Sequence, residues 1–216
     1  MIISHRHRLI FFSNPKTGSE SLRALLAPLA EEPVLPFRQT SRRHPFYPHM
    51  PPEAVRRVFA RRGWDFTSYR RVTCIRNPYA RLVSLYEMIR SVDRLHRLGL
   101  VPGGFGRWLR RSRPYGRGGG GWRHQRWRRY GAWSIRAWAF DAAGAPLVDH
   151  ILRLEDLNTA WPELAARLGL PDCGALPHLN RRVGRDHRDW YDAVSRRLVA
   201  KRYGFDLAHF SYSFDD

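Results

Sequence analysis

Two short runs constrain the fold most: Leu9-Ile10-Phe11-Phe12 and Val72-Thr73-Cys74-Ile75 are apolar on nearly every residue rather than on alternate ones. A strand of that kind is buried on both faces, as in a parallel sheet covered by helices. Each run stops at a turn and opens a helix. After the first, Leu22, Leu25, Leu26 and Leu29 repeat at i, i+3, i+4 and i+7, with Pro28 limiting the regular length. After the second, Arg76 ends the strand, Asn77 can cap and Pro78 takes the first helical position. Leu82, Leu85, Tyr86 and Ile89 then form the buried stripe. A third strand is expected over Leu147–Leu154, paired with Trp133–Phe140 across Ala143-Gly144-Ala145-Pro146. The helix after it carries Trp161, Leu164 and Leu168 and ends at Gly169. A last helix is expected from Asp189 to Tyr203, with Tyr191, Val194 and Leu198 inward and Gly204 as its stop. Strands alternating with helices predict an α/β fold with a layered, mainly parallel central sheet flanked by helices. At 216 residues and 43% hydrophobic composition, a single domain over 1–216 is expected.

Charge narrows the partner. The formal net charge is +19 and the pI about 11.3, which favours anions: nucleic acid, anionic lipid, acidic polysaccharide or phosphorylated small molecules. No apolar run approaches the roughly 20 residues of a membrane helix, so no transmembrane segment is expected. The start does not read as a secretory signal, because Asn14-Pro15-Lys16 ends the first apolar run. Two cysteines, Cys74 and Cys173, make neither a disulfide framework nor a metal-ligand set, and a reduced, cytoplasmic setting is expected. All cationic side chains are arginine except Lys16 and Lys201, so the lysine at 16 stands out.

It stands in the first turn. A strand that ends in a tight turn and opens a helix aims free N–H groups at one point, a ready site for phosphate or sulfate. Pro15-Lys16-Thr17-Gly18-Ser19-Glu20-Ser21 adds a compact cation, a glycine for close backbone approach and three hydroxyl donors. No G-x-x-x-x-G-K-[ST] loop is present. In the second turn, Arg76 closes a strand, Ser84 lies eight residues on, and Arg81 shares a helix face with Ser84, a plausible phosphate clamp.

Together the two turns resemble a known family. Phe12-Ser13-Asn14-Pro15-Lys16-Thr17-Gly18-Ser19-Glu20-Ser21-Leu22 is similar to the 5′-phosphosulfate loop of sulfotransferases that use 3′-phosphoadenosine 5′-phosphosulfate. Ile75-Arg76-Asn77-Pro78-Tyr79-Ala80-Arg81-Leu82-Val83-Ser84-Leu85-Tyr86 resembles their 3′-phosphate segment. Val148-Asp149, Arg153-Leu154-Glu155-Asp156-Leu157, Leu176-Pro177-His178-Leu179-Asn180 and the ending Phe205–Tyr212 resemble the carbohydrate branch, which includes the chondroitin, dermatan and heparan 2-O-sulfotransferases and bacterial relatives. The resemblance implies a three-layer, P-loop-like fold. It also implies in-line transfer of a sulfuryl group to an acceptor hydroxyl, most naturally on a glycan, anionic or neutral, with adenosine 3′,5′-bisphosphate as product. Lys16 and the backbone of Thr17, Gly18, Ser19, Glu20 and Ser21 would stabilise the leaving phosphate, and Arg76 and Ser84 would hold the 3′-phosphate. Arg181 and Arg182, beside His178 and Asn180, lie in a segment the family places near the cofactor.

The attacking hydroxyl needs a base that is neutral near pH 7, and histidine is the natural choice. The family's histidine lies between the two cofactor motifs, where His49 and His44 both fall; His49 fits the spacing to Arg76 better. Arginine neighbours would keep either one neutral. Glu155 and Asp156 close a strand where ligands collect, although capping the next helix is the plainer role.

Residues Gly103–Gly131 hold 9 of the 17 glycines, 9 arginines and no acidic residue, which predicts a loop or insertion rather than a packed element. Its arginines and aromatics suit bases and phosphates or an acidic sugar chain. With flanks like these, acceptor binding is the better reading than a specific nucleic acid. Two alternatives remain open: a P-loop-type nucleotide phosphotransferase, and a basic nucleic-acid-binding domain without catalysis.

Overall fold

The computed structural model describes residues 1–92, 104–111, 132–177 and 186–216. Much of the Gly103–Gly131 segment, and His178, Asn180, Arg181 and Arg182, lie outside the described residues. Two compact units divide the chain: Met1–Ile75 with Ala137–Arg181, and Arg76–Arg136 with Arg182–Asp216.

The first unit holds an open sheet of four strands, β1 (Ile2–Ser4), β2 (Leu9–Phe12), β3 (Arg70–Ile75) and β4 (His150–Arg153), in that order. β2 pairs parallel with β3 and β3 parallel with β4, while β1 runs antiparallel to β2. The doubly apolar runs therefore sit as read, in the middle of a mostly parallel sheet. Period-two alternation sends Leu9, Phe11, Val72, Cys74 and Leu152 to one face. There they pack with Leu22 and Leu25 of helix α1 (Ser19–Leu25) and with Leu157, Trp161 and Leu164 of the helix Leu157–Arg167. Phe12 faces the other way and meets Phe66, which meets Phe59 of helix α2 (Pro52–Arg61) edge-on. An α/β fold with a sheet flanked by helices is the result.

Parallel pairing sets the ends of β2 and β3 at one edge of the sheet, with Phe12 opposite Thr73. Two buried side-chain bonds carry the pairing past the ladder: Thr73 Oγ1 donates to Phe12 O at 2.9 Å, and Asn14 Nδ2 to Cys74 O at 3.0 Å. Ahead of β4, Asp149 takes the Arg71 guanidinium at 2.6 and 3.0 Å and its main-chain N–H at 2.8 Å, and so pins the register.

The second unit is built on helix α3 (Pro78–Val92), capped by Asn77, whose Oδ1 accepts from Tyr79 N at 2.9 Å. Tyr79, Leu82, Leu85, Tyr86 and Ile89 of its buried stripe pack with Phe105, Leu109, Val199 and Tyr203.

Several described elements differ from the sequence reading. Within Gly103–Gly131, expected to be a loop rather than a packed element, Phe105–Arg111 is a helix, because Phe105 and Leu109 at i and i+4 are buried against α3. β1 was not foreseen; a tight hairpin through His5-Arg6-His7-Arg8, with Arg8 at φ +48, returns the chain to β2 without glycine. Trp133–Phe140 is not a strand: Ile135–Ala139 is helical, because Ile135, Trp138 and Ala139 are buried at helical spacing. Only the bridge Phe140–Pro146 survives of the expected pairing, and β4 is confined to His150–Arg153. The expected helix Asp189–Tyr203 splits into a 3-10 turn, His187–Trp190, and a helix Ala193–Arg202. Asp192 starts the latter with a reciprocal Ser195 capping box, which faces Val194 outward at 51% exposure. Gly204 opens a further short helix, Gly204–His209, instead of ending one.

Among the described residues no helix is long and apolar enough to cross a membrane, and no cluster of histidine, cysteine or carboxylates is placed to hold a metal ion.

Candidate functional site

The turn after β2 has an unusual backbone. Lys16 is at φ +65 and Gly18 at φ +67, both left-handed, with one residue between them. Left-handed residues in a tight turn before a helix can gather N–H groups on one side, as anion-binding nests do. A lysine at this φ costs about 1–2 kcal/mol over the right-handed region. Gly18 is required twice over: besides its φ, a Cβ there would lie 2.2 Å from Leu154 Cδ1. Gly18→Ala is expected to lose about 1–2 kcal/mol from backbone strain alone, more if Leu154 cannot shift. Urea unfolding checks this, and an unchanged midpoint would contradict the tight turn.

The hydroxyls do something other than foreseen. Thr17 Oγ1 donates to Asn14 O at 2.8 Å and Ser19 Oγ to the same oxygen at 3.1 Å. Two of the three expected hydroxyl donors are thus spent inside the loop. What the turn offers an anion is the start of α1, where Gly18 provides no side-chain cap and the Ser21 N–H already donates to Gly18 O at 3.1 Å, together with the half-exposed Lys16. That donor set suits a phosphate or sulfate group.

His49 is tied to this turn. Its Nδ1 lies 2.8 Å from Ser13 O. A carbonyl only accepts, so Nδ1 carries the proton and Nε2 of the neutral ring is left with its lone pair. Burial pushes His49 below the usual histidine range, against the raising effect of the Ser13 bond. His49 is accordingly a neutral imidazole of fixed tautomer, as a general base must be. His44 sits in a local turn in which its N–H donates to Ser41 Oγ at 3.1 Å and its carbonyl accepts from Ser41 N at 3.0 Å. Asp156 starts the helix Leu157–Arg167 without capping it by its side chain and pairs instead with Arg153 Nε at 3.4 Å.

In the second unit Arg76 and Ser84 are both half-buried, Arg76 directly after β3 and Ser84 on α3. Asn77 holds the turn between them from two sides, its amide also donating to Ser213 O at 2.7 Å. Arg81 is no surface clamp: it is 1% exposed, and its guanidinium donates to Trp133 O and lies over the Tyr203 ring. Asp206 is buried in the same unit and accepts from Ile135 N at 2.8 Å; burial pushes its carboxyl up to about 6.

The Ser13 carbonyl and Asn14 were missed by sequence reasoning. A main-chain oxygen leaves no signal in residue type, and Asn14 before a proline reads only as a turn former.

Compared with known proteins, residues 1–114 match the sulfotransferase family. The chain belongs to that family. The matched span contains the Lys16 turn, His49, Arg76 and Ser84. No curated protein and no solved structure matches the chain. Membership carries the general chemistry: a transferase that moves a sulfuryl group from a sulfate donor to a hydroxyl-bearing acceptor.

Proposed function

We propose that this sulfotransferase uses 3′-phosphoadenosine 5′-phosphosulfate and sulfates a carbohydrate hydroxyl, with His49 as base. The observation that supports the reading is the Nδ1–Ser13 bond, which ties a neutral His49 to the loop that bears Lys16 and leaves its Nε2 with a lone pair. When bound, the donor supplies a sulfuryl group bridged to phosphate, already activated for transfer.

Each residue has one task. His49 Nε2 accepts the proton that the acceptor hydroxyl loses as it attacks, and the ring becomes an imidazolium whose Nδ1–H stays on Ser13 O. Lys16 and main-chain N–H groups at the start of α1 stabilise negative charge at the phosphate end, held in place by the tight turn before the helix. Arg76, with Ser84, holds the 3′-phosphate, and Arg181 and Arg182 add positive charge beside the nucleotide, as the family resemblance implies. We read the fold as P-loop-like on the same grounds, with a Lys16 turn in place of the G-x-x-x-x-G-K-[ST] loop. A glycan acceptor accords with the similarity of the Val148–Leu157 and Phe205–Tyr212 segments to the carbohydrate branch, and the net charge of +19 suits an anionic one.

A radiolabelled sulfate donor, offered with anionic glycans, neutral glycans, phenols and tyrosine peptides, tests the assignment. Label is expected on a glycan. Transfer confined to phenols or tyrosine would overturn the acceptor class.

A further inference from the structure

Asn14 is 0% exposed and stands at the junction of two working peptide units. The unit before it, Ser13–Asn14, donates its N–H to Phe12 O at 3.0 Å and presents its carbonyl to His49 Nδ1 at 2.8 Å. The unit after it presents the Asn14 carbonyl to the hydroxyls of Thr17 and Ser19 at 2.8 and 3.1 Å. The planes of both units depend on the backbone angles of this one residue. Those angles are fixed from outside the loop, by the side-chain amide donating 3.0 Å to Cys74 O in β3. The other side-chain atom, Oδ1, is buried with no hydrogen-bond partner among the described residues. A buried, half-satisfied amide is costly, by roughly 1–3 kcal/mol. Its presence at this end of the sheet calls for a return other than stability.

We propose that Asn14 is a positioning residue that sets His49 and the Lys16 loop together, through the two peptide units that meet at its Cα and the single amide bond to β3. This rests on the functional reading given above. Both halves of the reaction, proton removal and support of the leaving phosphate, then take their geometry from one anchor. Loosening it displaces the Ser13 carbonyl and the Thr17–Ser19 turn at once, and displacement by about 1 Å at a reacting centre costs about 100-fold in rate.

Asn14→Ala and Asn14→Asp test this on the whole chain. Asn14→Ala is expected to lower kcat by about 10-fold or more. It is also expected to move the His49 titration, read by ring ¹⁵N NMR, to lower pH, because the Ser13 bond holds that pKa up. Asn14→Asp keeps the shape but donates to Cys74 O only when protonated, so its kcat should recover as the pH falls from 8 toward 6, where the parent enzyme gains nothing. Should Asn14→Ala fail to fold, the isosteric Asn14→Asp carries the test. An unmoved His49 titration with parental kcat in Asn14→Ala, or an Asn14→Asp enzyme without recovery at low pH, overturns the proposal. The NMR titration needs no turnover. If the parent protein neither binds adenosine 3′,5′-bisphosphate nor transfers label, the functional reading fails, while the Asn14–His49 coupling is still read on its own.

Discussion

Lys16→Ala is expected to lower kcat by roughly 100- to 1,000-fold, the usual loss when one donor to a developing oxyanion is removed, without unfolding the protein. Lys16→Gly separates the side chain from its backbone. Glycine enters the left-handed region freely, so this variant should unfold at higher urea than the parent, by about 1 kcal/mol, and be just as inactive. A lysine held at φ +65 is the pattern of local strain kept for function. If Lys16→Gly instead loses stability together with activity, the side chain is a structural strut and the leaving-group role is wrong.

His49→Ala should abolish turnover, a loss of at least about 100-fold for a general base, while affinity for adenosine 3′,5′-bisphosphate stays within about threefold. The pH profile of the parent enzyme follows from the burial of the ring. Because the folded pKa lies below the ordinary value, the base stays neutral, and kcat/KM holds, to a pH below about 6.5 before the acid limb begins. The same depression makes His49 a source of acid lability: an unfolded chain binds a proton there sooner than the folded one, so stability falls as pH drops below about 6.5. His49→Ala should lessen that loss. Retained turnover in His49→Ala, with loss in His44→Ala, would move the role to His44.

Legibility in the sequence followed range of contact. β2 and β3 were readable because four consecutive core-facing residues admit few alternatives, and α3 because Asn77, Pro78 and its stripe agree. Elements stabilised by distant partners were not. Arg81 has the right spacing to Ser84 for a surface pair, yet spacing along a helix says nothing of depth; the Trp133 carbonyl, 52 residues away, draws it into the core. Ile135, Trp138 and Ala139 carry a helical pattern too short to outweigh the strand-like aromatics around them. At the site, Lys16 and Gly18 were visible as residue types, but the inward turn of the Thr17 and Ser19 hydroxyls depends on backbone angles that composition does not encode. The bond of His49 to Ser13, which fixes its tautomer, spans 36 residues and leaves no trace in local spacing, so the sequence offered His49 and His44 alike.

The central claim is that the Lys16 turn takes the phosphate end of a sulfonucleotide. Calorimetric titration with adenosine 3′,5′-bisphosphate, set beside ATP with magnesium, tests it most directly. The account predicts tight binding of the bisphosphate that survives a metal chelator and weakens at least about tenfold in Lys16→Ala. Preference for magnesium–ATP, or bisphosphate binding that ignores Lys16, would contradict it.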